Sequence, residues 1–517
     1  MDPCNSILAS SLFYYGVVFA QHDMMEDTAQ PAFNATGNEP MSYALLPEHK
    51  GYFYVHVIMM VIAFWILMPM GVMLGIAKSS LHVPVQLLAF CFAMVGFLFG
   101  KVYGHSTPHL YQSNSHHTLG WVMFWFLIIQ MTIGIIRKVA NAVRKPNHYQ
   151  TVEQTDESSS SSCMSETSSE TLHTSSFDFD KEAYKPETVT ARLFNAVSPY
   201  IPKLIKGAFV TLAYNQFTKV FCRYYHMVMG RTFIILIFIQ TLSGLVVYHG
   251  VCRSWEVLGC AAHLIKGGIF FFYGIMTFGR YLGAFADRGW AWNQIDDSDG
   301  GSSFSFEMIE CVLIFVYGIT NTWMEHFGQD STWSHKDLEH ASLAFMWWWC
   351  GVIGMLIESK RIGKLLQRTT TSSYSLNPFP ALTVLVTGIS MGNHHQDTEY
   401  SGNIHWMWGT LLSSAAVCRF ITYITLYRNL PADCQPTRPP SELLGAFLLL
   451  AGSILFMASN SGTLDWLKEN NVDSMFLMNV CVALTSITLC YVTSLQILKA
   501  WAEKREEVLK KQLDQFS

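Results

Sequence analysis

Charge is what this sequence has least of. Only 14% of its 517 residues are Asp, Glu, Lys or Arg, while half are hydrophobic. A soluble chain of this length divides into domains and carries nearer a quarter charged residues, so the shortage excludes an ordinary soluble enzyme. The formal net charge is only −5, and the charge sits in a few loops and two tails, which gives nucleic acid nothing to recognise. Standard metal-motif spacing is also missing from the His and Cys residues. The twelve cysteines lie mostly inside apolar runs, where they read as small hydrophobes. Cys252 and Cys260 share one short loop and are expected to pair if it faces an oxidising compartment.

What is present instead is a series of apolar runs, most of 18 to 26 residues, each about long enough to cross a bilayer. They predict an all-α polytopic integral membrane protein of about eleven transmembrane helices. The runs fall near 52–77, 81–104, 117–136, 227–248, 260–284, 304–325, 339–358, 378–392, 404–427, 441–459 and 475–498. Residues 1–20 read as a signal peptide or an uncleaved anchor, although no basic residue precedes the apolar stretch. Residues 21–50 read as a lumenal segment with a glycosylation sequon at Asn34-Ala35-Thr36. Residues 137–221 combine a Ser-rich acidic stretch, Thr151 to Asp180, that cannot bury a core, with an apolar segment at 192–215 expected to lie along the membrane surface. Residues 251–498 form a His-rich multi-span region, and 499–517 a cytosolic tail expected to hold a short amphipathic helix.

With residue 50 on the lumenal side, the basic loops at 137–148 and 359–368 and the basic tail all fall in the cytosol, as lysine and arginine bias requires. The same topology sorts four histidines. His56 and His116 (with His117 beside it) open helices at the lumenal face, and His82 and His226 open helices at the cytosolic face. Imidazoles facing each other inside a helical bundle suit the axial positions of a haem iron. The bland alternative for each one singly is an interfacial polar residue.

The motifs around these histidines resemble the cytochrome b561 superfamily. His56 is followed by Pro69-Met70-Gly71, His82 by Gln86, His116 by Leu119-Gly120 and Gln130, and His226 by Gly230-Arg231. The resemblance covers 52–136 and 222–250. It implies a four-helix bundle with two haem b groups, one on His56 and His116 and one on His82 and His226. It further implies transmembrane electron transfer from a small-molecule donor such as ascorbate. The chain departs from the pattern in the ninety or so residues between its third and fourth haem-type helices. As a whole it resembles the fungal family of YTP-type transmembrane proteins.

The C-terminal half adds His340, His394, His395, Asp397, Glu399 and His405, with His326, His335, Asp337 and Glu339 nearby, all on the lumenal face of the same topology. Mixed imidazole and carboxylate sets suit zinc, copper or iron. His394, His395, His405, His340 and Asp397 are therefore the expected ligands. Such a site would receive electrons as a metalloreductase does, or activate water in a metal-dependent membrane hydrolase. A multi-span membrane protein without haem is the third reading. Trp347-Trp348-Trp349 reads as an interface or core cluster, and Glu307, Glu310 and Glu358 as snorkelling or interhelical pairs. Membrane lipid is the one partner every reading shares. The secretory pathway or the vacuolar membrane is the expected location.

Overall fold

A computed structural model of the chain describes residues 42–111, 114–143, 216–253, 257–293, 304–324, 333, 335–366, 376–429 and 435–515. The expected signal segment, the Asn34 sequon, the Ser-rich stretch, the 192–215 segment and Glu325-His326 lie outside the described residues. Every regular element among the described residues is helical. Eleven long helices occur at the eleven expected places: α1 Lys50–Ile76, α2 His82–Ser106, α3 Ser115–Val143, α4 Gln216–His249, α5 Val257–Leu282, α6 Phe306–Met324, α7 His335–Glu358, α8 Phe379–Gly392, α9 Glu399–Arg428, α10 Pro440–Ala458 and α11 Ser474–Gln515. Nine of these, among the described residues, are long and apolar enough to cross a membrane. The other two are α6, which carries Glu307 and Glu310 in its first turns, and α8, with only 14 residues.

Helix ends follow local chemistry. Proline begins α8 and α10, where its missing N–H costs nothing. Thr398 caps α9 by accepting from the Ser401 amide at 3.2 Å. Gly250 and Gly283, with φ of 70° and 89°, terminate α4 and α5 in a conformation other residues rarely adopt. Inside α1, residues Val61–Leu67 form a π-helical segment just before Pro69. The tail differs from expectation. Residues 501–515 continue α11 as one 42-residue helix, because no Gly or Pro interrupts 474–515 and Lys499–Glu503 and Lys511–Glu507 pair at 3.3 and 2.8 Å.

The chain groups into two compact units, Met1–Asn114 with Thr241–Ser517, and Ser115–Gln240, the division falling within α4. In the larger unit α1 packs on α2, α6 on α7, α5 on α10, and α9 on both α8 and α10. Its core is aromatic and aliphatic: Trp408 is fully buried and stacks on Phe456 at 4.1 Å. Small residues let helices approach, so a Cβ placed on Gly388 of α8 would come within 2.6 Å of the Gly409 carbonyl of α9. The tryptophan run is divided: Trp347 is buried and donates to Thr387 Oγ1 at 2.7 Å, while Trp349 is 53% exposed. Large apolar side chains on the outer faces, such as Ile487 and Ile497 of α11, are also exposed. A bare apolar surface of this kind requires lipid as its solvent.

Candidate functional site

Of the four histidines expected to open helices, His82 and His116 do so, at the first residue of α2 and the second of α3, whereas His56 stands six residues into α1 and His226 ten residues into α4, since no Gly or Pro breaks the helix between Gln216 and His226. In each unit these residues tie one helix to its neighbour. In the larger unit His56 of α1 places Nδ1 2.8 Å from the Gly96 carbonyl of α2, and His82 of α2 places Nδ1 2.7 Å from the Gly71 carbonyl of α1. In the smaller unit His116 of α3 places Nδ1 3.1 Å from the Gln240 carbonyl of α4. A carbonyl only accepts, so each of these rings carries its proton on Nδ1 and its lone pair on Nε2. Gln240 Nε2 donates back to the His116 carbonyl at 2.9 Å, and Gln130 Nε2 of α3 donates to the His226 carbonyl of α4 at 3.0 Å. The smaller unit therefore has a glutamine-to-carbonyl bond at both ends, joined at the His116 end by the ring's own anchor.

The spacing behind this is regular. Fourteen residues separate His82 from Gly96, His116 from Gln130 and His226 from Gln240. That interval is just short of four helical turns, so both positions share a face about 21 Å apart. His56 and Gly71 are fifteen apart, and the π-helical segment between them absorbs the extra residue. Glycines clear space for the rings. A Cβ on Gly100 would stand 2.6 Å from His56 Nδ1, and one on Gly75 2.9 Å from His82 Nδ1. Gln86 donates to the Met68 carbonyl at 3.2 Å, fastening α2 to α1 one turn past His82.

The C-terminal histidines gather at one end of the larger unit. Glu339 Oε2 lies 2.7 Å from His394 Nδ1, Glu339 Oε1 lies 3.2 Å from His335 Nε2, and the rings of His340 and His394 stand 5.0 Å apart. His405 is buried, holds the Ser401 carbonyl at 2.8 Å through Nδ1, and stands 6.0 Å ring to ring from His263 of α5. His263 anchors Nδ1 on the Gly259 carbonyl at 2.8 Å and has His340 within electrostatic reach. His395 and Asp397 are exposed. Among the described residues, no group of three or more His, Cys, Asp or Glu stands close enough to hold a metal ion. His263 was not anticipated, although its place near the start of an apolar helix is the signal that singled out His56. Cys252 and Cys260 form a disulfide at this same end, with Cα atoms 5.8 Å apart. Phe53, one turn from His56, stacks on Tyr248 at 4.5 Å, which puts the start of α1 there as well.

The expected pairing of glutamates holds for α6. Glu307 meets Arg280 of α5 at 2.9 Å, and Glu310 meets Arg419 of α9 at 3.4 Å. Glu358 accepts from Ser305 Oγ at 2.6 Å.

A bundle of apolar helices with lipid-facing aliphatic surfaces and buried polar ends defines a polytopic integral membrane protein. Residues 236–500 match the family described as protein YTP1-like, C-terminal, and residues 37–140 match a domain of unknown function (DUF2427). The chain is 33% identical to an uncharacterized membrane protein of Schizosaccharomyces pombe, over 91% of this chain and 99% of that one. It belongs to the YTP1-like family. It is also similar to an uncharacterized membrane protein of Saccharomyces cerevisiae (33% identical, 54% of this chain and 48% of that one) and to protein YTP1 of the same yeast (26%, 42% and 41%). No solved structure matches.

Proposed function

We propose that this protein is a transmembrane electron carrier in which His56, His82, His116 and His226 supply the axial nitrogens of two b-type haems, paired as the cytochrome b561 resemblance implies. The observation that carries the reading is the anchoring of Nδ1 on backbone carbonyls at His56, His82 and His116. An imidazole held this way carries its lone pair on Nε2 and gains basicity from the hydrogen bond, as iron ligation needs. Bound haem would supply reversible one-electron chemistry. The protein's own part is to hold each ring in one tautomer and one orientation, to keep the space beside it clear with Gly75 and Gly100, and to space the two levels by about 21 Å along the helices.

In this reading His56 is lumenal and His82 cytosolic; a disulfide at the His56 end, which suits an oxidising lumen, and a basic tail, which suits the cytosol, support it. The donor in this reading is a cytosolic small molecule such as ascorbate. The acceptor is a small oxidant or a first-row metal ion arriving at the Glu339–His394 pair, whose carboxylate and imidazole suit such a substrate. The membrane is that of the secretory pathway or the vacuole.

The test is an optical spectrum of the purified full-length protein. A dithionite-reduced minus oxidised difference with b-type bands is expected, with two haems per chain by pyridine haemochrome assay. His82→Ala or His226→Ala should remove one haem and leave the other. A protein that stays colourless after expression with haem supply and reconstitution with haemin refutes the reading.

A further inference from the structure

Four helices of the larger unit bury a charged network that electron transfer does not use. Arg280 of α5, Glu307 and Glu310 of α6, Arg419 of α9 and Glu442 of α10 are each 5% exposed or less. Arg280 Nη2 holds Glu307 at 2.9 Å and Arg419 Nε holds Glu442 at 2.8 Å. Both guanidiniums lie over the fully buried ring of Trp292, at 4.0 and 5.1 Å from its centre. Two arginines and three glutamates leave one negative charge in excess when all are ionised, and an uncompensated charge in so dry a place is costly.

The excess localises on one residue. Glu307 and Glu442 each have an arginine nitrogen within 3 Å, whereas Glu310 Oε1 has only Arg419 Nη1 at 3.4 Å, from a guanidinium already committed to Glu442. Glu310 Oε2 is buried with no hydrogen-bond partner within 3.5 Å, and the one neutral donor that reaches toward this carboxyl is the Tyr273 hydroxyl, which brings no charge to balance it. We propose that Glu310 is a proton-binding site: the buried network is neutral when Glu310 carries a proton on Oε2 and holds one negative charge when it does not. The ligand is a proton rather than a metal cation, because a cation at this carboxylate would stand against the Arg419 guanidinium, while a proton neutralises the oxygen within its own bond.

The groups facing Glu310 come from every packed side. Arg280 and Tyr273 approach from α5, Arg419 and Tyr423 from α9, Glu442 from α10 by way of Arg419, and Glu307 and Cys311 from its own helix, with Glu358 of α7 beyond Cys311. A cavity of about 10 Å³ bounded by Tyr273, Thr277, Arg419 and Glu442 adjoins the Arg419–Glu442 pair and is the size of one water molecule.

The experiment is infrared difference spectroscopy of the full-length protein in lipid nanodiscs, with ¹³C-labelled glutamate to assign bands, titrated from acid to alkaline pH. A protonated-carboxyl C=O stretch present at neutral pH and lost on alkaline titration is expected. It should be absent in Glu310→Gln, whose neutral amide keeps the network uncharged and the fold intact, and retained in Glu503→Gln, which changes an exposed pair. Absence of any protonated-glutamate band in the wild type at neutral pH overturns the proposal without reference to a variant. So does an unchanged band in Glu310→Gln. A wild-type protein lacking the band and stabilised specifically by sodium or potassium would assign the charge balance to a metal cation.

Discussion

The histidine geometry makes a graded prediction that a set of three alanines can test. A Cβ on Gly100 would stand 2.6 Å from His56 Nδ1, so the ring must retreat by about 0.8 Å to reach an ordinary 3.4 Å contact. A Cβ on Gly75 would stand 2.9 Å from His82 Nδ1 and demands about 0.5 Å. A Cβ on Gly134 of α3 would stand 3.7 Å from His226 Cε1 and demands nothing. Ligand constellations work only when held within about 0.5 Å of their geometry. Each ring also depends on a carbonyl bond of 2.7 to 2.8 Å in the two crowded cases. Losing that bond costs about 1 kcal/mol net, roughly a fivefold drop in the fraction of rings correctly aimed. Haem content per purified chain, read from the reduced minus oxidised spectrum, should therefore fall most in Gly100→Ala, less in Gly75→Ala, and not at all in Gly134→Ala. Folding is monitored separately by thermal unfolding. A Gly134→Ala protein that loses as much haem as Gly100→Ala, with folding intact in both, refutes the steric reasoning. So does full haem content in all three.

Other outcomes follow from the packing. Arg419→Met leaves Glu442, 1% exposed, without its 2.8 Å partner, and should destabilise by about 3–5 kcal/mol, while Arg419→Met with Glu442→Gln should recover most of the loss. Equal unfolding midpoints for the single and double variants would count against the pairing. Opening the Cys252–Cys260 bond by Cys252→Ser with Cys260→Ser should cost about 2.5 kcal/mol for so short a loop, and in sealed vesicles of known orientation a variant keeping only Cys252 and Cys260, once reduced, should take up an impermeant maleimide only from the lumenal side. Labelling from the cytosolic side would invert the topology. Gly388→Val should weaken the α8–α9 contact and lower the unfolding midpoint, because its Cβ meets the Gly409 carbonyl at 2.6 Å; an unchanged midpoint would show that the helices can separate without loss.

The sequence by itself determined where the helices lie and the class of protein, although nine rather than eleven of the described helices are long and apolar enough to cross a membrane. Lipid leaves no alternative for a backbone polar group except the helix's own hydrogen bonds, so each crossing must be written as a long apolar run, and such a run is legible. It also placed His82 and His116 at helix starts and two cysteines in one loop, both local facts, but not His56 or His226, whose helices begin six and ten residues earlier. What it left open depended on contacts across helices. Only the tertiary structure decided that His56 and His82 anchor on carbonyls of the facing helix, that a π-helical segment restores the phase of α1, and that Arg419 takes Glu442, a pairing that nothing in the local sequence marked. It likewise set Glu339 with His394 and His405 with His263, leaving His395 and Asp397 at the surface. The reason is that composition sets which segments become helices, whereas the rotation and axial register of one helix on another come from the interdigitation of side chains far apart in the chain.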